Sequence, residues 1–162
     1  MKSIYSPWRF NYVTTANQKS GCIFCQALQN ADDPDSLILY KGNHNFVILN
    51  RYPYNNGHIM IAPYQHLSTP ILVDHVILEE MMEIFQTGLL ALTEVYRPDG
   101  FNMGMNLGKS AGAGIEEHYH LHLLPRWNGD TNFMGTIAET RINPEAFSAT
   151  LAKLKPFFRT EK

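Results

Sequence analysis

Between Leu37 and Pro63 short apolar runs alternate with polar turns. LILY (37–40) and FVILN (46–50) flank KGNHN, whose Gly-Asn content predicts a hairpin; after the loop RYPYNNG, HIMIAP (58–63) predicts a third strand that Pro63 stops. The period then changes. From Asp74, a candidate N-cap, apolar residues recur at Ile77, Met81, Ile84, Phe85, Leu89, Leu92 and Tyr96. Those are helical intervals, and Pro98 with Gly100 ends the run. Period two returns in FNMGMNL (101–107) and, past the small-residue loop KSAGAGIEE, in HYHLHLLP (118–125). Near the end, NPEAFSATLAKLKPFF predicts a closing helix with Pro144 in its first turn. Strands, helix, strands, helix is the order of an α+β fold: an antiparallel sheet of about five strands, one long helix and a C-terminal helix.

Residues 1–20 are polar and aromatic without a period and are expected to drape over the domain as an arm; QNADDPDS, just past Cys25, has turn chemistry. No repeat or linker divides the 162 residues, so one domain is expected, with the arm at 1–20, the core at 21–141 and the C-terminal helix at 142–158. A hydrophobic content of 44% supports a packed core, and a net charge of −2 gives no general attraction to nucleic acid. An anionic ligand therefore needs a local site. No apolar run approaches the roughly 20 residues of a membrane span. MKSIYSPWRFNYV is too broken by Ser, Pro, Arg and Asn to read as a signal peptide, so the cytoplasm is the expected address.

Candidate chemistry begins with three histidines. On a strand of period two, His118, His120 and His122 share one face, while Tyr119, Leu121 and Leu123 point to the other and can enter the core. The pattern admits a solvated polar face, a metal chelate, or imidazoles working on a bound phosphate. Just upstream, Gly112 and Gly114 stand among small neighbours, which lets backbone N–H groups approach an anion closely; the plain alternative is a flexible turn.

The two cysteines form Cys22-Ile-Phe-Cys25. In a chain with no export signal this spacing reads as metal or redox chemistry before a structural disulfide, and the arm that precedes it does not resemble the strand a redox motif follows. Zinc is favoured. Two thiolates close only half of a tetrahedral site, so further donors must come from His or carboxylate: His44, His58, His66, His75 or the triad.

HYHLHLL matches the His-φ-His-φ-His-φ-φ signature of the histidine triad (HIT) superfamily, φ being apolar. LNRYPYNNGHIMIAP and GMNLGKSAGAGIEEHYHLHLLPRWNGDTNFM resemble its bacterial branch of diadenosine tetraphosphate phosphorylases and hydrolases, from about Tyr5 to about Arg141. The resemblance implies a HIT-like fold, a homodimer whose two short sheets join, and adenine nucleotides as ligands, with neither nucleic acid nor membrane as partner. It makes His120 the nucleophile and places His122 on the phosphate under attack. Asn106 would lie near the scissile phosphate, Asn50 on the ribose, and His58 behind the active strand as its support. Backbone N–H groups of Gly112, Ala113 and Gly114 would meet the phosphate. It also implies one structural zinc per chain on Cys22, Cys25, His66 and His118, with no catalytic cofactor. The chain departs from one phosphorylase pattern, in which a Gly-Ser pair stands where it has Ala113-Gly114, so that serine hydroxyl is missing.

The chemistry suits these residues. A neutral imidazole whose Nδ1–H is held by a carbonyl presents a free Nε2 lone pair, and no proton need leave the attacking atom. A polyphosphate leaves as a stable anion, whereas an amine would demand a general acid. The expected activity is cleavage of dinucleoside polyphosphates through nucleotidyl-His120, with phosphate or water as final acceptor. The alternatives are a nucleoside phosphoramidase, a nucleotide-binding or sensing protein with little turnover, and a metallohydrolase using the whole triad as ligands. Phe46 and Ile48 are candidates to flank a base, or ordinary core. Arg126 and Trp127 are candidates to cover the site, or structural.

Overall fold

The structure is a computed structural model and describes residues 21–33, 35–130 and 145–158. The expected arm at 1–20 and Pro144 lie outside the described residues. Strands β1 (Ile38–Lys41), β2 (Asn45–Leu49), β3 (Ile59–Pro63), β4 (Gly100–Gly104) and β5 (Leu121–Arg126) form one sheet in the order β1-β2-β3-β5-β4. Every pairing is antiparallel. Helix α1 (Ile23–Gln29) precedes the sheet, α2 (His75–Tyr96) connects β3 to β4, and α3 (Phe147–Leu154) closes the described chain, followed by a 3-10 turn at Lys155–Phe158.

Alternation along the strands divides the core in two. Val47, Leu49, Ile59, Ile61, Leu121 and Leu123 point to one face and pack with Met81, Ile84, Phe85 and Leu92 of α2 and with Leu154. Ile38, Phe46, Ile48, Met60 and Ala62 point to the other face, where Phe24 of α1 covers them. As expected, Tyr119 joins the α2 side. Gly88 permits α2 to lie close on the sheet, since a Cβ there would come within 3.0 Å of Ile59 Cδ1 and 3.1 Å of Leu123 Cδ2.

Three local features differ from the sequence expectation. Residues 23–29 form α1, an element the sequence pattern did not predict; with no side-chain cap and only seven residues it is marginal by itself, and burial of Phe24 holds it. β4 ends at Gly104, short of Leu107. β5 starts at Leu121, not His118: the β3–β5 ladder ends at the Ile61–Leu121 pair, although β3 itself runs on to Pro63. The backbone before Leu121 is anchored instead by Tyr119 N–H donating to Leu67 O at 2.7 Å. Pro125 is tolerated because β3 pairs with β5 only over Leu121–Leu123, so Pro125 lies beyond that ladder.

Glu80 fastens α2 to the hairpin. Its carboxylate accepts the backbone N–H groups of Asn43 (2.6 Å), His44 (2.8 Å) and Asn45 (2.8 Å), and the Asn45 side-chain amide at 2.8 Å. Burial raises its pKa, but those hydrogen bonds outweigh burial and hold it below the ordinary carboxylate value. Glu80→Ala is expected to cost about 2–3 kcal/mol in denaturant unfolding. Because the folded-state value is depressed, this contribution is present above the ordinary carboxylate pKa and is lost as pH falls through the folded one. A loss below 0.5 kcal/mol (a rough threshold for surface substitutions) would contradict the role.

Candidate functional site

His58, His120 and His122 gather on the face of the sheet away from α2. Met60 pairs with His122 across β3 and β5, so His58, one side-chain period earlier, lies diagonally beside His122. Gly57 places His58: its φ is +75°, and a Cβ there would meet Leu92 Cδ2 at 2.9 Å and Tyr96 Cε2 at 3.0 Å. Both the backbone and the available space demand glycine.

Fixed donors and acceptors assign the tautomers. Tyr52 N–H donates to Asn50 Oδ1 at 2.9 Å, which turns the Asn50 amide nitrogen toward His58 Nδ1 at 3.3 Å. Tyr54 N–H donates to the same Nδ1 at 3.1 Å. His58 therefore carries its proton on Nε2, which lies 3.0 Å from His122 Nδ1 and donates to it. His122 in turn keeps its proton on Nε2. His120 Nδ1 lies 2.9 Å from the His118 carbonyl, an acceptor only, so Nδ1 carries the proton and Nε2 is left with its lone pair. One ring thus offers a lone pair and its neighbour an N–H, with ring centroids 4.7 Å apart.

Burial, then the adjoining His120 ring, push His122 down from 6.5 to about 4. Burial also lowers His118 and His120, against the upward pull of the carbonyls they donate to. Lowered from their ordinary value, His118, His120 and His122 are neutral at pH 7. Between the two His122 values the unfolded chain binds the extra proton, so this contribution to stability is complete above about pH 6.5 and is lost as pH falls through about 4. The thermal midpoint is expected to fall over that interval, and NMR titration should find His122 of the folded protein neutral at pH 5. A His122 that is mostly protonated at pH 5 would contradict its burial.

In the glycine loop two of the three candidate N–H groups already have backbone partners. Gly108 and Gly112 take φ of +80° and +84°. The turn they make uses its own donors, with Gly112 N–H bonded to Lys109 O (2.9 Å) and Ala113 N–H to Gly108 O (3.3 Å). Of the three N–H groups, only that of Gly114 has no backbone partner among the described residues. Asn106, half-buried after β4, likewise makes no hydrogen bond to a described residue. Phe46 and Ile48 are buried among their neighbours. Arg126 forks onto Asp130 (2.6 and 2.8 Å) and reaches Asn102 at 2.5 Å, and Trp127 lies edge-on to Tyr96; these residues brace the end of the sheet.

The second cluster consists of Cys22, Cys25, His66 and His118, whose donor atoms all lie within 4.8 Å of one another. His118 Nδ1 is 3.3 Å from Cys22 Sγ and 3.8 Å from Cys25 Sγ, and His66 Nδ1 is 3.5 Å from Cys25 Sγ. Donors around a tetrahedral zinc stand about 3.3–3.8 Å apart, so the set fits a metal. The tautomer fits too: His118 Nε2 donates to Pro63 O at 2.9 Å, which leaves the Nδ1 lone pair facing the thiols. Burial, then the adjacent Cys22 thiol, raise the Cys25 thiol, a conflict that a cation between them would relieve. His44 and His75, both open as donors in the sequence, lie outside the cluster. Phe24, which sequence reasoning passed over, joins the two clusters: its ring centroid is 5.0 Å from His118 and 4.7 Å from His120.

Known proteins agree with this picture. The HIT domain family model matches residues 32–129. An AP-4-A phosphorylase of Mycobacterium tuberculosis (strain H37Rv) is 36% identical over 159 residues, 93% of this chain and 80% of its own length. An uncharacterized HIT-like protein of Saccharolobus solfataricus is 26% identical over 70% of this chain and 79% of its own. Among solved structures, a zinc-bound histidine triad family protein of Mycobacterium smegmatis superposes with a TM-score of 0.67 at 26% identity, covering 85% of this chain and 93% of that one. A hypothetical histidine triad nucleotide-binding protein of Sulfolobus tokodaii has the same fold, with a TM-score of 0.68 at 23% identity over 85% of this chain and 91% of its own. No helix among the described residues is long and apolar enough to cross a membrane. The antiparallel sheet, its histidine cluster and the match across the core make this chain a member of the HIT family.

Proposed function

We propose that this single-domain protein cleaves diadenosine tetraphosphate by nucleotidyl transfer through His120, with inorganic phosphate as the final acceptor. The observation that carries the reading is the Nδ1–H of His120 on the His118 carbonyl, which leaves Nε2 unprotonated on a ring 4.7 Å from that of His122, whose own proton is on Nε2. The phosphorylase 36% identical over 93% of the chain supports the substrate and the acceptor. Nε2 attacks the phosphorus of one adenylyl group; the P–O bond to ATP breaks, and its electron pair leaves with the ATP oxygen. The resulting adenylyl-imidazolium keeps Nδ1–H on His118, while His122, Asn106 and the Gly114 N–H donate to the phosphate oxygens. Phosphate attacks the same phosphorus, the N–P pair returns to Nε2, and ADP departs. Asn50 also acts through His58, holding its tautomer.

Zinc, one ion per chain, would be held by Cys22, Cys25, His66 and His118. Its four donors leave no open position, and when bound it supplies a cross-link between α1 and the approach to β5. The open edge of β4, where Met103 is 51% exposed and Leu107 lies just beyond, supports a homodimer joined through that strand. A cytoplasmic address accords with the two free cysteines.

Incubation with diadenosine tetraphosphate, with and without phosphate, tests the reading. ADP and ATP appearing only with phosphate is the expected result. AMP and ATP in either buffer would make water the acceptor, and no product in either would overturn the assignment.

A further inference from the structure

The sequence between the cysteines is not a neutral spacer. Phe24 is 1% exposed, so it cannot offer a face to a ligand from solution. Its neighbours are Phe46, edge-on at 6.3 Å, and the rings of His118 and His120 at 5.0 and 4.7 Å. The His120 ring is tilted 43° to the Phe24 ring, and on its other contact meets His122 at 72°. His120 is therefore bounded by an aromatic ring, a histidine ring and the carbonyl that holds Nδ1.

Charge on His120 changes during the reaction proposed above. The ring is neutral before attack. Once Nε2 has given its lone pair to phosphorus, the ring keeps its Nδ1–H and carries a full positive charge, which it loses again when the N–P bond breaks. The negative face of an aromatic ring attracts a cation within about 6 Å, most strongly where water is excluded. A neighbour that favours the charged ring over the neutral one lowers the barrier without tightening substrate binding.

We propose that Phe24, carried on the Cys22–Cys25 turn and seated 4.7 Å from His120, is a positioning residue that holds the nucleophile's ring and stabilises its cationic adenylyl form. This rests on the nucleotidyl-His120 reading. It also gives the cysteine turn a task in the reaction: the segment that gathers the metal donors delivers an aromatic ring to the nucleophile, 4.7 Å between centroids.

The test replaces Phe24 in the full-length, metal-loaded protein with 4-fluoro-, 3,5-difluoro- and 3,4,5-trifluoro-phenylalanine. These keep the ring's shape while draining its face of negative potential. The single-turnover rate of ATP release should fall stepwise, by roughly three- to thirtyfold across the series. The KM, the thermal midpoint and zinc affinity measured against a chromophoric chelator should stay constant. Phe24→Leu should be as slow as the trifluoro protein or slower, and Phe24→Tyr should recover most of the rate. A rate flat across the fluorine series overturns the inference, as does a rate that falls only in step with the thermal midpoint. Undiminished turnover by His120→Asn would instead remove the nucleophile on which the inference rests, so the two failures are separable.

Discussion

His120→Asn should retain less than about one part in ten thousand of the wild-type turnover of diadenosine tetraphosphate while binding nucleotide with near-normal affinity. Asparagine can keep a hydrogen bond to the His118 carbonyl, where His120 Nδ1 donates at 2.9 Å, but it has no lone pair able to form the covalent intermediate. The loss should fall on kcat, because the nucleophile contributes to the transition state and little to ground-state binding. His122→Asn removes a hydrogen-bond donor and leaves the nucleophile in place, so a smaller loss, on the order of a hundredfold, is expected. Steady-state kinetics and a direct binding titration measure both variants. Turnover within tenfold of wild type in His120→Asn would end the nucleotidyl-histidine mechanism, whereas intact binding with no wild-type turnover would mark a sensing protein.

Removal of the metal should act on stability before it acts on rate. Cys22→Ser, or chelation of the folded protein, is expected to lower the thermal midpoint by on the order of 10 °C, as loss of a cross-link worth several kcal/mol does in a domain of this size. The donors join α1 at Cys22 and Cys25 to His66 after β3 and His118 before β5, segments distant in sequence that no ladder connects. Well below the new midpoint, catalysis should persist in large part. A rate abolished at once in still-folded protein would mean that the ion takes part in the chemistry. Calorimetry paired with activity at a fixed low temperature distinguishes these outcomes.

The first three strands were legible as short apolar runs, as β2 and β3 bury both faces, and the last two strands and the two longer helices as hydrophobic periods. Helix α1 was hidden: seven residues carry too little pattern, and its stability comes from Phe24 packing against β2 and β3. The His-x-His-x-His spacing correctly predicted one shared face, although only His122 lies within the assigned strand. Asn50 illustrates the opposite case. Its position was legible as a candidate, but its side chain is engaged by Tyr52 and His58, a partnership set by a loop conformation that no period encodes.

From sequence alone followed the α+β class, the two faces of the segment 118–123, the triad and the cysteine pair. These are local properties, set by side-chain period and residue type within a few positions. Tertiary structure decided which histidines join the cysteines, which nitrogen of each ring carries the proton, and that the glycine loop spends the N–H groups of Gly112 and Ala113 on itself. Those outcomes depend on carbonyls and amides from segments far apart in the chain. A ring nitrogen keeps or yields its proton according to the group that folding places within 3 Å of it.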